Sequence, residues 1–147
     1  MDLATGYDPA TVAAATAALG PRDVIIDALL GTGLSRAVRG ELAQVIAALN
    51  ASPARRVSVD VPSGLDADLG APPDAPAADP ISIVRADDTV TFGWAKLGLV
   101  GDPGFRVAGQ VQVIDIGIPE VLADRLGVAT WLLGPALLAP LFAPRPP

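Results

Sequence analysis

Cysteine and histidine are both absent from this sequence of 147 residues. Without them the chain has no disulfide, no thiol nucleophile and no Ser-His-Asp triad, and it lacks the ligands of the usual zinc and iron sites. Acid–base chemistry is therefore left to aspartate, glutamate, lysine, tyrosine or an ordered water, and a bound cation must be a hard ion held by oxygen atoms. The lack of cysteine is typical of cytoplasmic proteins, and we predict that location.

Basic residues and long apolar runs are also scarce. The chain has 10 lysines and arginines against 16 aspartates and glutamates, a net charge of -6, and without a basic cluster we expect no nucleic-acid partner. The most apolar late stretch, 128–142, is interrupted by glycine and proline and is shorter than the roughly 20 residues of a membrane helix, so we expect no membrane association. We expect no secretory signal, because neither a basic segment nor an apolar core follows Met1. The apolar share of 51% is typical of a globular domain with a hydrophobic core.

The order of the predicted elements is that of a parallel α/β sheet. Asp8 and Pro9 indicate the start of a helix that we expect to end at Gly20. The apolar spacing after Gly40 predicts a second helix over 41–49, with Asn50 as its cap. The predicted strands span 24–27, 56–61, 88–93 and 109–116. The first is continuously apolar, as in a strand covered by helices on both faces, and the last lies nearer the sheet edge. The helix between the first two strands predicts a right-handed βαβ unit.

The remaining segments are rich in proline and glycine. Residues 62–80 are expected to be irregular. A short helix is predicted over 119–126, and the ending 143–147 is typical of a linker toward a further domain.

Two of the predicted strands end in an aspartate that is followed by a glycine-containing loop. Asp27 ends the first strand and Asp60 lies at the end of the second. Ligands of open parallel sheets bind beyond the carboxyl ends of the strands. The two carboxylates therefore predict one small-molecule site at this edge of the sheet.

The loop after Asp27 has features of an anion site. Its glycines let a backbone approach a ligand, the following helix N-terminus favours negative charge, and Arg36 and Arg39 could bind phosphate. The alternative is a tight strand-to-helix turn with two solvated arginines. A P-loop is excluded because Gly-Lys-[Ser/Thr] is missing, and the dinucleotide fingerprint is incomplete because Arg36 stands in place of its third glycine.

Asp60 begins a more specific motif, Asp60-Val61-Pro62-Ser63-Gly64. Partial desolvation at an apolar strand end would raise the pKa of its carboxyl toward the range of a general acid or base, and Ser63 would present a hydroxyl beside it. The alternative is an aspartate that caps its own loop. Asp27 and Ser63 could together offer oxygens to a monovalent cation, unless Asp27 only bonds the backbone. Lys96 follows the third strand and either reaches into the same crevice or is a surface lysine.

Several uncommon motifs occur in one order and spacing. They read DALLGTGLSR over 27–36, VRGE over 38–41, SVDVPSGLDAD over 58–68, ADDTVTFG over 86–93, KLG over 96–98 and DIGIP over 115–119. Together they closely resemble the NAD(P)H-hydrate epimerase family, the YjeF N-terminal domain, over about residues 20–120.

The resemblance implies a Rossmann-like three-layer α/β/α fold with a mostly parallel sheet. It implies epimerisation of the R and S forms of hydrated NADH and NADPH (NADHX and NADPHX), with the S form then used by a dehydratase. Asp60 is the implied acid–base residue and Lys96 a helper. The implied substrate-binding residues are Asp60 and the loop Gly31, Thr32, Gly33, Leu34, Ser35, Arg36 and Ala37. Asp27 and Ser63 match ligands of a potassium ion, K+.

The sequence also departs from the family. Its members begin with a helix, a strand and a loop reading roughly Gly-Asn-Asn-Gly-Gly-Asp-Gly, and nothing like this loop occurs here. We therefore expect a chain without the N-terminal strand and helix, with a partial epimerase domain over 1–119 and a helix and linker over 120–147. The linker resembles one that leads to an ADP- or ATP-dependent dehydratase domain, and a homo-oligomer is left open.

Two alternatives to an epimerase remain. The first is a non-catalytic nucleotide-binding or scaffold module with the same fold. The second is an unrelated nucleotide-phosphate enzyme that uses the loop at Gly31. The absence of the P-loop lysine counts against this second alternative.

Overall fold

The computed structural model describes residues 8–72, 74, 82–134 and 138. Four strands form one sheet in the order β1-β2-β3-β4, and every neighbouring pair is parallel. The strands are β1 (Val24–Asp27), β2 (Arg55–Val59), β3 (Asp88–Phe92) and β4 (Gln110–Ile114). The helices are α1 (Pro9–Ala17), α2 (Glu41–Ala51), α3 (Leu97–Val100), α4 (Phe105–Ala108) and α5 (Val121–Arg125). The parallel sheet with connecting helices is the Rossmann-like α/β arrangement that the sequence predicted.

The register of the sheet brings three strand ends to the same edge. Asp27 pairs with Ser58 of β2, and Val59 pairs with Val90 of β3. The segments that leave β1, β2 and β3 therefore start side by side, as the predicted βαβ unit requires.

The two longer helices form where the sequence has helix signals. Asp8 caps α1, its carboxylate accepting from the amides of Ala10 and Thr11. In α2 the apolar spacing places Val45 and Leu49 against Ile25 of β1. This packing covers one face of the sheet at β1.

The opposite face of β1 is not covered among the described residues. Ile25 and Asp27 are buried, whereas Val24 and Ile26 are 54% and 60% exposed. The prediction that helices cover both faces of this strand is therefore wrong. The physical reason is the strand order, because right-handed connections that always step to the next strand in one direction lie on one face.

The predicted boundaries differ from the structure in small ways. α1 ends at Ala17, three residues before Gly20, whose amide instead donates to the Asp23 carboxylate. Asn50 lies inside α2 rather than capping it, and its side chain bonds Ile83 and Arg85. The helices α3 and α4 were not predicted, because four residues are too few to show a periodicity.

Contacts divide the chain into two units, 1–116 and 117–147. The second unit contains α5, inside the predicted helix 119–126. Residues 73 and 75–80 of the predicted irregular segment 62–80, and the predicted linker-like ending 143–147, lie outside the described residues. No described helix combines the length and apolar character needed to span a bilayer.

Candidate active site at the carboxyl ends of β1 to β3

Asp27 is fully buried at the end of β1 and accepts hydrogen bonds on both carboxylate oxygens. Oδ2 accepts from the Ser58 hydroxyl and the Ser63 amide, both at 2.8 Å. Oδ1 accepts from the Ser63 hydroxyl at 2.5 Å and, more weakly, from the Leu29 amide at 3.4 Å. All of these donors are uncharged, and no basic side chain bonds Asp27 among the described residues.

Ser63 joins the two loops that follow β1 and β2. Its hydroxyl bonds Asp27 and accepts from the amide of Leu30 at 2.9 Å. The expectation that this hydroxyl lies beside Asp60 is wrong, because the turn directs it toward β1 instead. The turn depends on Gly64, whose φ is +95° and where an added Cβ would lie 1.9 Å from the Ser82 carbonyl oxygen. The contacts of Ser63 confirm that these two loops meet.

Asp60 lies at the end of β2 in an unusual backbone conformation. Its φ of 69° is in the left-handed region, which aspartate and asparagine tolerate better than most residues. Its amide donates to the Val90 carbonyl at 2.7 Å, so the pairing with β3 extends to the residue where the chain turns. Its Oδ1 accepts from Lys96 Nζ at 2.5 Å, Thr91 Oγ1 at 3.0 Å and the Phe92 amide at 3.3 Å. Within the described chain, Oδ2 has no hydrogen-bond partner.

Lys96 uses all three ammonium protons in this cluster. Nζ donates to Asp60 Oδ1, to Thr91 Oγ1 at 2.9 Å and to the Phe92 carbonyl at 2.8 Å. The side chains of Lys96 and Asp60 are 21% and 22% exposed, so solvent still reaches the pair. Lys96 therefore bonds the aspartate at the end of β2, rather than being a solvated surface lysine.

Gly98 fixes the segment that carries Lys96. Its amide donates to the Ala67 carbonyl at 2.7 Å, and an added Cβ would lie 2.3 Å from the carbonyl oxygen of Asp66. Only a residue without a side chain lets α3 lie this close to the loop that follows Asp60. This close approach holds the lysine near the carboxylate.

The pKa of the Asp60 carboxyl is lowered from its ordinary value. Burial raises this pKa, but the hydrogen bond from Lys96, those from the Phe92 amide and the Thr91 hydroxyl, and the lysine's charge together outweigh burial. The expectation of a raised pKa is therefore wrong in sign. At neutral pH the carboxyl is ionised, which suits a group that accepts a proton.

The loop at 31–37 lies beside an open groove. Residues 31–33, 35 and 36 of the loop are exposed. An added Cβ at Gly31 or Gly33 would meet nothing within 4 Å. The groove has a volume of about 460 Å³ and is lined by Leu30, Leu34, Arg36, Ala37, Val38, Arg39, Leu42 and Asp74. It has room for part of a small molecule beside the predicted anion-binding loop.

A carboxylate from the chain itself lies in this groove. Asp74 Oδ1 accepts from the Ala37 amide at 2.8 Å, and Oδ2 is 3.8 Å from the Arg39 guanidinium. The amide of this loop and Arg39 thus hold an anionic group in this structure. Asp74 was not singled out from the sequence, since nothing nearby in sequence marks its contact with a residue 37 positions earlier.

Two buried polar residues were also missed. Thr91 and Ser58 are fully buried and bond Asp60 and Asp27 respectively. A hydroxyl on the covered face of an apolar strand is a signal that could have found both, because buried polar groups need partners.

The sheet defines a Rossmann-like α/β protein, and Asp27 and Asp60 mark a candidate site beyond the carboxyl ends of its strands. A family model described as YjeF-related protein N-terminus matches residues 3–98. The chain therefore belongs to this family.

Individual relatives agree with this assignment. The chain is 45% identical over 96 residues to an NAD(P)H-hydrate epimerase of Oenococcus oeni, covering 65% of this chain and 42% of that protein. It is 45% identical over 109 residues to an NAD(P)H-hydrate epimerase of Limosilactobacillus fermentum, covering 74% and 49%. It is 41% identical over 112 residues to the bifunctional NAD(P)H-hydrate repair enzyme Nnr of Escherichia coli, covering 76% and 18%. The chain thus spans less than half the length of each of these relatives.

Proposed function

We propose that this chain carries the acid–base part of an NAD(P)H-hydrate epimerase site, which interconverts the R and S forms of hydrated NADH and NADPH. The observation that carries the proposal is the Asp60–Lys96 pair, an ionised carboxylate with one oxygen bound to an ammonium and the other without a partner in the described chain. The names of the relatives supply the reaction, and the pair supplies a group that could perform its proton transfer.

Asp60 is the proposed proton acceptor. The hydrated ring carbon bears the hydroxyl and is bonded to the ring nitrogen. When the hydroxyl proton is removed, the oxygen forms a C=O bond and the carbon–nitrogen bond breaks, with its electron pair going to nitrogen. The nitrogen then adds to the other face of the carbonyl, and the proton returns to the oxygen. Oδ2 of Asp60 accepts this proton, because the carboxyl is ionised at neutral pH and Oδ2 is its oxygen without a hydrogen-bond partner in the described chain. Lys96 holds Oδ1 and offsets the negative charge.

The loop 31–37 is the proposed substrate-binding segment. Its exposed backbone, the groove beside it and the two arginines suit the phosphates of a nicotinamide dinucleotide. The contact between Asp74 and the Ala37 amide supports this assignment, because an amide of the loop donates to a carboxylate there.

Asp27 and Ser63 are the proposed potassium ligands. Asp27 is fully buried and bonds only neutral donors, so no basic side chain stands in the place of a cation, and the oxygens of Asp27 and Ser63 suit a hard monovalent ion. The residues fit such an ion, which would add positive charge at the end of β1. No described cluster of three acidic residues competes with this pair as a metal site.

The proposal extends to the parent protein. We propose an epimerase domain over 1–119 and a helix and linker over 120–147 toward a dehydratase domain, because the relatives named bifunctional are about five times the length of the matched segment. Potassium, hydrated NADH or NADPH as substrate, a homo-oligomer and a cytoplasmic location stay predictions.

The test is an epimerisation assay on the purified chain. We would supply the R epimer of hydrated NADH, with and without K+, and follow the S epimer by chromatography above the spontaneous rate. Asp60→Asn should abolish the catalysed rate, and Asn tolerates the positive φ at this position. Asp68→Asn, on an exposed residue of the same loop, is the matched control and should keep the rate.

Two other results would favour the alternatives. Thermal stabilisation by the substrate without turnover would indicate a binding or scaffold module. A dependence on Mg²⁺ and ATP would indicate the nucleotide-phosphate enzyme. A chain that neither turns over nor binds the R epimer would overturn the proposed function for this polypeptide.

A further inference from the structure

Two threonines lie on the covered face of β3, and their hydroxyls do different things. Thr89 and Thr91 are both fully buried. Thr89 donates to the Ala108 carbonyl at 2.6 Å and so joins β3 to the end of α4. Thr91 instead contacts the two charged groups of the candidate site, Asp60 Oδ1 at 3.0 Å and Lys96 Nζ at 2.9 Å.

The chemistry of the neighbours fixes the direction of the Thr91 hydroxyl. An ammonium has only protons to give, so Thr91 Oγ1 accepts from Lys96. The hydroxyl proton is then directed to the ionised carboxylate of Asp60, which can only accept. Thr91, Lys96 and Asp60 therefore form a closed ring of three hydrogen bonds.

We propose that Thr91 is a positioning residue for the proton acceptor Asp60. With the Phe92 amide, its hydroxyl and Lys96 place three donors on Oδ1, which fixes the rotation of the carboxylate and leaves Oδ2 for the substrate. The hydroxyl also stabilises the ionised form of Asp60. This inference rests on the proposed function, since it assigns to Thr91 the orientation of the group that takes the proton.

Burial explains why threonine suits this position. The side chain has no exposed surface, so solvent cannot replace the hydroxyl if it is removed. Valine has nearly the same shape and β-branching, and it suits a strand equally well. Thr91→Val therefore removes the hydrogen bonds while it keeps most of the packing.

The experiment compares Thr91→Val and Thr91→Ser with Thr89→Val in the full chain. The first readout is the pH profile of kcat and KM for the R epimer of hydrated NADH. The second is the titration of the Asp60 carboxyl by carbon-13 NMR, assigned with Asp60→Asn. Thr91→Val should lower kcat about ten- to a hundredfold with KM changed less than about twofold, the effect of one hydrogen bond to a charged group. It should also move the titration of Asp60 and the acid limb of kcat to higher pH.

The two other variants separate positioning from a structural role. Thr91→Ser should restore both readouts toward the wild type, because it keeps the hydroxyl. Thr89→Val should lower the melting temperature without moving either readout, because its hydroxyl bonds only the backbone of α4. If Thr91→Val does not fold, Thr91→Ala serves in the same comparison.

The outcomes distinguish this inference from the proposed function. An unchanged pH profile and an unchanged Asp60 titration in Thr91→Val would overturn the inference, and so would equal shifts in Thr89→Val. The proposed function would still stand if Asp60→Asn alone abolished turnover. If turnover survived in Asp60→Asn, the proposed role of Asp60 would fail. The NMR titration would then still decide whether Thr91 stabilises its ionised form.

Discussion

The ammonium of Lys96 lies 2.5 Å from Oδ1 of Asp60, although the two residues are 36 positions apart and belong to segments that follow different strands. The contact exists because β2 and β3 are parallel neighbours, so that the segments after them leave the sheet at one edge. Burial raises the pKa of the Asp60 carboxyl, and the contact with Lys96 contributes to bringing that pKa below its ordinary value. Removal of the lysine should therefore change the titration of the aspartate.

Lys96→Met should lower the rate of epimerisation at neutral pH by about tenfold or more, the scale of a disturbed proton transfer. Asp60 accepts a proton only when it is ionised, so activity falls as the pH drops through its pKa. Loss of the lysine raises that pKa, because the hydrogen bond from Lys96 is the contact that lowers it most. The acid limb of the pH–rate profile should move to higher pH. An acid limb that stays in place would contradict the pairing.

The sequence predicts only part of this candidate site. Asp27 and Asp60 can be singled out from the sequence, because each lies at the end of a short apolar strand and is followed by a glycine-containing loop. The sign of the Asp60 pKa could not be predicted, since it depends on Lys96, on the Phe92 amide and on Thr91, which only the pairing of β2 with β3 brings within reach.

For the fold, the bounds of a strand could be predicted from the sequence, but the coverage of its faces could not. The bounds of β1 follow directly from its apolar run and its turn residues, and they agree with the structure. The exposure of Val24 and Ile26 does not follow from that run, because the same residues suit a strand buried on both faces. Coverage of a face depends on strand order, which is a property of the whole sheet.

The stability of the chain should depend on the ionisation of Asp60. Its pKa is lower in the folded chain than its ordinary value of 3.8. The stabilisation by the pair is therefore fully present above about pH 4 and is lost as the pH falls through the lower folded value. Asp60→Asn should lower the free energy of unfolding at pH 7 by about 1 to 2 kcal/mol.

This difference between Asp60→Asn and the wild type should shrink below pH 4. Urea unfolding at several pH values measures it. Asp8 and Asp88 also have lowered pKa values, through bonds with Thr11 and Arg55 respectively, but they are unchanged in both proteins and cancel in the comparison. If the difference in free energy of unfolding between the wild type and Asp60→Asn widened on acidification, the carboxyl would not be stabilised as an anion.

Asp27→Asn should destabilise the chain and remove its response to potassium. The Ser63 amide points at Oδ2, and the Leu29 amide at Oδ1, so an NH₂ group at either position faces a donor. The expected loss is about 1 to 3 kcal/mol in the free energy of unfolding, the cost of an unsatisfied buried group. Melting curves in potassium, lithium and choline chloride test the ion. The wild type should be stabilised by potassium alone, and equal stabilisation of Asp27→Asn would exclude Asp27 as a ligand.

Gly98→Ala should weaken activity through the position of Lys96. The added Cβ would lie 2.3 Å from the Asp66 carbonyl oxygen and 2.7 Å from that of Ala67, both of them backbone atoms that cannot turn aside. We expect a loss of about 1 to 3 kcal/mol of stability, as in other overpacked sites, together with a lower kcat. Gly31→Ala is the matched control for stability alone, because its Cβ meets nothing within 4 Å and Gly31 itself belongs to the proposed substrate-binding loop. Equal stability of the two variants in urea would contradict the close approach of α3.

Asp74→Ala should tighten the binding of a phosphate-bearing ligand. The Asp74 carboxylate bonds the Ala37 amide and lies near Arg39, so it holds the groups that we assign to the substrate phosphates. A bound phosphate must displace this carboxylate or lie beside it. In the second case the two negative charges repel each other. Removing the carboxylate frees the amide and the guanidinium, and the KM for hydrated NADH should fall by about two- to tenfold, the scale of an exposed ionic contact.

The matched control is Asp68→Ala. It removes an equal charge from a residue that does not line the groove, and it should leave the KM unchanged. The difference between the two variants should shrink in high salt, because an exposed interaction is screened. A KM that rises in Asp74→Ala would mean that this carboxylate organises the loop for binding rather than competing with the ligand.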